Sequence, residues 1–173
     1  MFASQQLHAA RILVARCREK NLIITTAESC TGGLLSALIT EIPGSSAIFE
    51  RGYITYANDA KIELLDVDTS LIEKYGAVSS EVAQAMAEGV RKKTQADIAV
   101  AITGIAGPDG GSAQKPVGLV FIAVASKEKT IFSENRFSGN RSDIRMQAVA
   151  KALEMVSDGI SSLRGASATR QSS

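Results

Sequence analysis

Leu22-Ile23-Ile24-Thr25-Thr26-Ala27-Glu28-Ser29-Cys30-Thr31-Gly32-Gly33 starts as a short apolar, β-branched run. It ends on two glycines that open into Leu34, Leu35, Leu38, Ile39 and Ile42 at helical spacing. A strand over residues 22–26 that passes through a tight turn of small residues into a helix is a building unit of α/β folds. The turn gathers a hydroxyl, a thiol and several backbone N–H groups at a helix N-terminus. The first N–H groups of a helix lack internal partners and carry the positive end of its dipole. An attacking oxygen or a bound anion suits that position. Thr and Gly before a helix are also ordinary capping chemistry, so the turn alone leaves both readings open.

The pattern extends in both directions. Upstream, Leu7, Ala10, Val14 and Cys17 keep helical spacing. Downstream, Pro43-Gly44-Ser45-Ser46 punctuates the end of the second helix, and a strand is expected over residues 48–56. Asn58 reads as the N-cap of a short helix carrying Lys61, Ile62, Leu64 and Leu65. Ser79 or Ser80 caps another, with Ala83, Met86, Ala87 and Val90 inward. Residues 97–103 and 117–125 are near-continuous apolar runs, as expected of central strands covered on both faces. The polar link Ser126-Lys127-Glu128 allows a hairpin into a strand over 129–137, whose polar residues suggest a sheet edge. A last helix over 141–161 buries Ile144, Ala148, Val149, Ala152, Leu153 and Val156. This order describes an α/β fold, a three-layer α/β/α sandwich with a mixed, mostly parallel sheet of about five to six strands. One domain is expected over residues 1–164, with a disordered tail over 165–173.

Composition narrows the function. With 19 Lys plus Arg against 18 Asp plus Glu there is no basic field, so nucleic acid is not an expected partner. Apolar runs fall far below the roughly 20 residues of a membrane-spanning helix, and a soluble chain without a membrane partner is expected. Cys17 and Cys30, with no signal peptide ahead of them, read as free thiols of a cytoplasmic protein. Neither belongs to a ligand-spaced pair, and the single histidine, His8, cannot complete a zinc cage. His8 is also remote from the glycine-rich loops, which argues against a histidine-based triad. No metal and no cofactor are expected.

Three further segments carry candidate chemistry. Thr103-Gly104-Ile105-Ala106-Gly107-Pro108-Asp109-Gly110-Gly111-Ser112 leaves the C-terminal end of a predicted central strand, where ligands of open α/β sheets collect. It is neither a Walker A sequence nor a dinucleotide fingerprint. Tyr56-Ala57-Asn58-Asp59-Ala60-Lys61 puts a phenol at a strand end and an amine in the next helical turn. Lysine has a pKa of about 10.4, so acting as a base at pH 7 requires lowering it by about 3, roughly 4 kcal/mol. A helix N-terminus supplies only part of that, and desolvation must supply the rest. Without burial, Lys61 is a surface charge. Finally, Arg141 and Arg145 lie one turn apart at the start of the last helix, either as a fork for phosphate or carboxylate or as solvated charges. With histidine set aside, hydrolysis would use Ser29 or Cys30 as nucleophile and Lys61, with Tyr56, as proton carrier.

In combination, TAESCTGG, PGSSAIFERGYITYANDAK, YGAVS, TGIAGPDGGSAQKPVGLVFIAVA and FSGNR closely resemble the C-terminal domain of the CinA, competence and damage-inducible, family in its stand-alone form. The likeness runs over residues 7–156. It implies a three-layer α/β/α sandwich and an amidase that converts nicotinamide mononucleotide to nicotinate mononucleotide and ammonia in pyridine-nucleotide recycling. Carried onto the matching motifs, it points to Ser29 as nucleophile, with Lys61 and Tyr56 moving protons. Around them, N–H groups of Cys30, Thr31, Gly32 and Gly33 are expected to meet the oxyanion. Thr103, Gly104, Gly107, Gly110 and Gly111, with Arg141 or Arg145, are expected to hold the ribose phosphate. The family commonly forms oligomers, so at least a homodimer is expected. Two other readings stand beside this one. One is a non-catalytic nucleotide-binding module, and the other is a magnesium-dependent phosphohydrolase using Glu28 and Asp109.

Overall fold

The computed structural model of the chain describes residues 2–162. Helix α1 (Ser4–Lys20) leads through Asn21, in the left-handed conformation at φ 53°, to strand β1 (Ile24–Glu28). The Leu22 N–H bonds back to the Cys17 carbonyl at 2.9 Å, so Leu22 belongs to the exit of α1. β1 therefore lies two residues later than the apolar run suggests, and Ser29 follows its last residue directly. Helix α2 (Leu34–Thr40) and a 3₁₀ turn lead to β2 (Phe49–Ile54). Helices α3 (Asn58–Leu65), α4 (Thr69–Tyr75) and α5 (Ser80–Thr94) precede β3 (Ile98–Gly104). The chain then continues through β4 (Leu119–Ala125) and β5 (Thr130–Arg136) into α6 (Arg141–Ser162). The expected tail at 165–173 lies outside the described residues.

The five strands form one mixed sheet in the order β2-β1-β3-β4-β5. β1 pairs in parallel with β2 and β3, while β4 is antiparallel to both of its neighbours. β4 alone runs against the other four, which agrees with the mixed, mostly parallel sheet expected. On one face α1, α2 and α6 bury Leu13, Leu35, Leu38, Val149 and Leu153 against Ile24, Val100, Ile102 and Ile122. On the other, α3 and α5 bury Leu65, Val82, Met86 and Val90 against Ala27, Ala99, Ala101 and Phe121. The sheet is thus the middle of three layers, and its continuous apolar strands are explained by cover on both faces.

Two local expectations are corrected. Asn58 is the first residue of α3 rather than its cap; Ala57 holds that place, with no side-chain capping bond. Helix α4 was not expected, because it is only seven residues long and buries no side chain fully, Leu71 and Ile72 packing part-buried against the core. Its signal lay in its ends, with Asp68 accepting from the Ser70 N–H at 2.8 Å and Gly76 stopping it at φ 77°. Of the two serines offered as cap for α5, Ser79 serves, accepting from the Val82 N–H at 3.3 Å.

Helix α5 passes close to α3 at Gly89, where a Cβ would lie 1.9 Å from the Leu65 carbonyl oxygen. Only a backbone shift admits a methyl group there. Gly89→Ala is expected to cost about 2 kcal/mol, a fall in melting temperature of roughly 4–8 °C, despite the better helix propensity of alanine. Thermal unfolding followed by circular dichroism checks it.

Candidate active site

The C-terminal ends of β1, β2 and β3 open side by side into a cavity of about 260 Å³. Its lining includes Ser29, Cys30, Tyr56, Lys61, Thr103 and Arg141. Each strand contributes through the loop that follows it, the arrangement in which α/β sheets bind ligands.

Ser29 is placed by backbone bonds on both sides. Its N–H donates to the Ile102 carbonyl on β3 at 2.9 Å, and its carbonyl accepts from the Gly32 N–H at 3.0 Å. The turn needs left-handed φ values of 57° at Gly32 and 97° at Gly33, which L side chains rarely adopt. Lys61 reaches in from the first turn of α3 and is 1% exposed. Its Nζ lies 3.2 Å from Ser29 Oγ and bonds the Thr55 carbonyl at 2.8 Å and the Tyr56 carbonyl at 3.2 Å. No ion pair among the described residues involves Lys61. Burial pushes its amine below the ordinary lysine value, against a smaller opposing effect of Cys30. A neutral amine has two N–H bonds and one lone pair. The two shorter carbonyl contacts take those N–H bonds and leave the lone pair for the serine hydroxyl, the Ala57 carbonyl standing farther off at 3.5 Å.

The thiol beside Ser29 behaves differently from what a helix N-terminus suggests. Burial pushes Cys30 up to about 11; its own backbone N–H and the nearby Arg145 and Lys61 oppose this, and Glu28 adds to it. The thiol is therefore protonated near neutrality, which counts against Cys30 as the alternative nucleophile. Tyr56 is also placed unexpectedly. Its carbonyl touches Lys61, while its phenol accepts from Arg141 Nη2 at 2.9 Å at the exposed mouth. Arg141 Nη1 also donates to the Gly107 carbonyl at 2.8 Å, tying the last helix to the second glycine-rich loop.

The two arginines separate. Arg141 lines the cavity, whereas Arg145 donates Nε to the Cys30 carbonyl at 3.1 Å and Nη2 to the Thr31 carbonyl at 2.9 Å. Arg145 thus braces the serine turn from behind rather than facing the cavity. Thr103, Gly104, Gly107 and Gly110 line the cavity, but Thr31, Gly32, Gly33 and Gly111 do not. Among the turn's N–H groups, that of Gly33 is taken by Glu28 at 3.1 Å and that of Gly32 by the Ser29 carbonyl. Among the described residues, the Cys30 and Thr31 N–H groups form no bond to another residue.

Glu28 does not face the cavity with Asp109. Fully buried, its carboxylate accepts from three N–H groups at the start of α2 and from the Ser36 hydroxyl, so the carboxylate pair of the phosphohydrolase reading is not assembled. Asn58, Ala77, Val78, Ile105 and Ala106 complete the lining without having been singled out as site residues. Ala77 and Val78 sit in the YGAVS motif, which carried no chemistry of its own. They arrive because Lys115 Nζ bonds the Tyr75 carbonyl at 2.5 Å and the Val78 carbonyl at 2.7 Å, while Thr103 Oγ1 donates to the Ala77 carbonyl at 2.8 Å. Among the described residues, no helix is long and apolar enough to cross a membrane.

The profile of the family described as the CinA C-terminal domain matches residues 6–160. A putative competence-damage inducible protein of Acetivibrio thermocellus is 51% identical over 157 residues, covering 91% of this chain and 37% of that protein. The nicotinamide-nucleotide amidohydrolase PncC of Enterobacter agglomerans is 47% identical over 154 residues, covering 88% of this chain and 94% of that one. This chain thus spans nearly the whole of the second protein but little more than a third of the first. Among solved structures, the competence/damage inducible protein CihA of Agrobacterium tumefaciens superposes with a TM-score of 0.90 at 43% identity, covering 93% of this chain and 98% of that one. A competence damage-inducible protein from Klebsiella pneumoniae gives 0.89 at 30% identity, covering 92% and 99%.

Proposed function

The chain belongs to the CinA C-terminal domain family, and from that premise we propose that it is an amidohydrolase converting nicotinamide mononucleotide to nicotinate mononucleotide and ammonia. The observation that carries this reading is the 3.2 Å approach of Ser29 Oγ to the buried Lys61 amine. Supporting the choice of substrate is the amidohydrolase name of the Enterobacter agglomerans relative, of which this chain covers 94%.

In the proposed mechanism, neutral Lys61 takes the Ser29 hydroxyl proton as Oγ bonds to the carboxamide carbon. The carbonyl π electrons move onto oxygen, and the N–H of Cys30, the turn residue after Ser29 that lines the cavity, is assigned to meet that oxyanion. Single donors in such holes contribute about 3–4 kcal/mol. The C–N bond then breaks, and the Lys61 ammonium returns its proton to the leaving nitrogen, releasing ammonia. Water next attacks the Ser29 ester. Lys61 accepts the water proton and passes it back to Ser29 Oγ as the acyl C–O bond breaks. Each cycle consumes one amide and one water and leaves the enzyme unchanged. Tyr56, through its phenol on Arg141, is assigned to the substrate end of the cavity rather than to a direct proton relay with Lys61.

The phosphate is assigned to Arg141 and the loop carrying Thr103, Gly104, Gly107 and Gly110. Arg145 is left out because its donors are directed to the serine turn. Arg141→Ala is expected to raise KM for the mononucleotide roughly 10- to 100-fold with kcat within a few fold, and to act far less on the phosphate-free riboside. Steady-state assays on both compounds check it. A cytoplasmic setting, from the two free thiols, and assembly at least as a dimer, from the family resemblance, are part of the same proposal.

The reading is tested by incubating the purified chain with nicotinamide mononucleotide and separating the products. Equal amounts of ammonia and nicotinate mononucleotide support it. No product from folded protein would instead favour the nucleotide-binding module, for which a charged Lys61 is required.

A further inference from the structure

The nucleophile turn is held from inside by a carboxylate that never meets the cavity. Glu28 is the last residue of β1 and is fully buried. Its Oε2 accepts from the Gly33 and Leu35 N–H groups, both at 3.1 Å. Its Oε1 accepts from the Ser36 N–H at 2.9 Å and the Ser36 hydroxyl at 2.7 Å. These N–H groups belong to the positive end of α2, which a glycine caps without any side-chain bond of its own. The anion site that the sequence places at this helix start is therefore filled by the chain's own carboxylate.

The backbone of the same residue reaches the other half of the pair. The Glu28 carbonyl accepts from the Thr55 N–H at 2.8 Å, and the Thr55 carbonyl accepts from Lys61 Nζ at 2.8 Å. Ser36 is seated in turn by Thr26 Oγ1 at 2.8 Å. Gly52 on β2 closes over both hydroxyls, since a Cβ there would lie 2.6 Å from each. One residue thus joins the start of α2, the serine that follows it and the strand end that cradles the lysine.

We infer that Glu28 is a positioning residue for Ser29 and Lys61: its carboxylate fixes the Gly32-Gly33 turn so that Ser29 Oγ stands against the amine. This inference rests on the amidase reading for its kinetic test. Misplacing a reacting group by about 1 Å costs on the order of 100-fold in rate, so the effect falls on kcat. Replacing the carboxylate by an amide leaves one acceptor oxygen for three backbone N–H groups, and the turn loses part of its hold. Ser36→Ala removes one bond to the same carboxylate but none from the turn.

The test compares wild type, Glu28→Gln and Ser36→Ala in ammonia release and in phosphonylation of Ser29 by a small fluorophosphonate followed by intact mass. Circular dichroism confirms folding. For Glu28→Gln the expected result is a fall of about 30-fold or more in kcat with KM little changed and an equal fall in phosphonylation rate, in a chain whose melting temperature drops by several degrees but which stays folded at the assay temperature. Ser36→Ala is expected to stay within about threefold of wild type on both rates. If Glu28→Gln does not fold, Glu28→Asp carries the same comparison, since it keeps the charge but withdraws it from the N–H groups. Rates within about threefold of wild type in the folded Glu28 variant would overturn the inference. So would an equal loss in Ser36→Ala, which would mark a cluster that serves stability alone. A wild type that is phosphonylated at Ser29 yet inert toward the mononucleotide would remove the proposed substrate while leaving the positioning role to be read from phosphonylation.

Discussion

Replacing Ser29 by Ala is expected to abolish ammonia release from nicotinamide mononucleotide, a loss of roughly 10⁴- to 10⁶-fold in kcat, with the fold intact. The hydroxyl sits in the cavity with Lys61 Nζ at 3.2 Å, and the turn that carries it is held by backbone bonds that alanine retains. In the proposed mechanism the lost atom is the one that forms the covalent bond, so no neighbour replaces it. Cys30 adjoins it, but burial pushes that thiol up to about 11, leaving it protonated at neutral pH. Cys30→Ala should therefore keep turnover within a few fold of wild type. Assays on both variants with folding checked by circular dichroism decide between the two nucleophiles. Turnover surviving in Ser29→Ala but lost in Cys30→Ala would reverse the assignment.

Lys61→Met keeps the apolar stem and removes the proposed base, and kcat is expected to fall by about 10²- to 10⁴-fold. Wild-type kcat/KM should rise with pH through the lowered pKa of the amine, because the ammonium cannot accept the serine proton. The residual activity of Lys61→Met should lack that acid limb. Stability carries a matching signature. Lys61 is lowered in the folded chain, whereas in the unfolded chain it titrates near the ordinary value of about 10.4. Between those two values the unfolded chain binds more protons, so wild-type stability rises with pH across that window and falls as pH drops through it. Below both values the difference is constant. Lys61→Met should lose this slope, which denaturant unfolding at several pH values checks.

Much of the fold was legible because the sheet is covered on both faces. Residues 98–104 and 119–125 are then near-continuously apolar, Thr103 excepted, with none of the alternation of a half-exposed strand. The strand–turn–helix around Ser29 was legible from the paired glycines, which the turn needs at positive φ. Helix α4 escaped because it is short and buries no residue fully, and the Leu22 end of β1 was misplaced because an apolar residue serves a helix exit as readily as a strand. That Ser29 and Lys61 share one cavity was legible, but the burial of the lysine was not. Residue type favours a surface for lysine, and only the packing of α3 beneath the β2 strand end removes it from water. Arg141 and Arg145 looked equivalent in sequence. Their separation depends on the rise of one helical turn, about 6 Å along the same face, which sets one against the cavity and the other against the serine turn. Glu28 read as a cavity acid because its position beside Ser29 did not reveal that its side chain turns toward α2.

The most direct test of Ser29 activation by a buried neutral amine is the titration of Lys61 itself, followed by NMR in chain labelled at the lysine side chains, with Lys61→Met used to assign the signal. Titration below the ordinary lysine range, at the same midpoint as the acid limb of kcat/KM, is the predicted result. A Lys61 that stays protonated up to about 10.4 while the wild type turns over freely at pH 7 would contradict it.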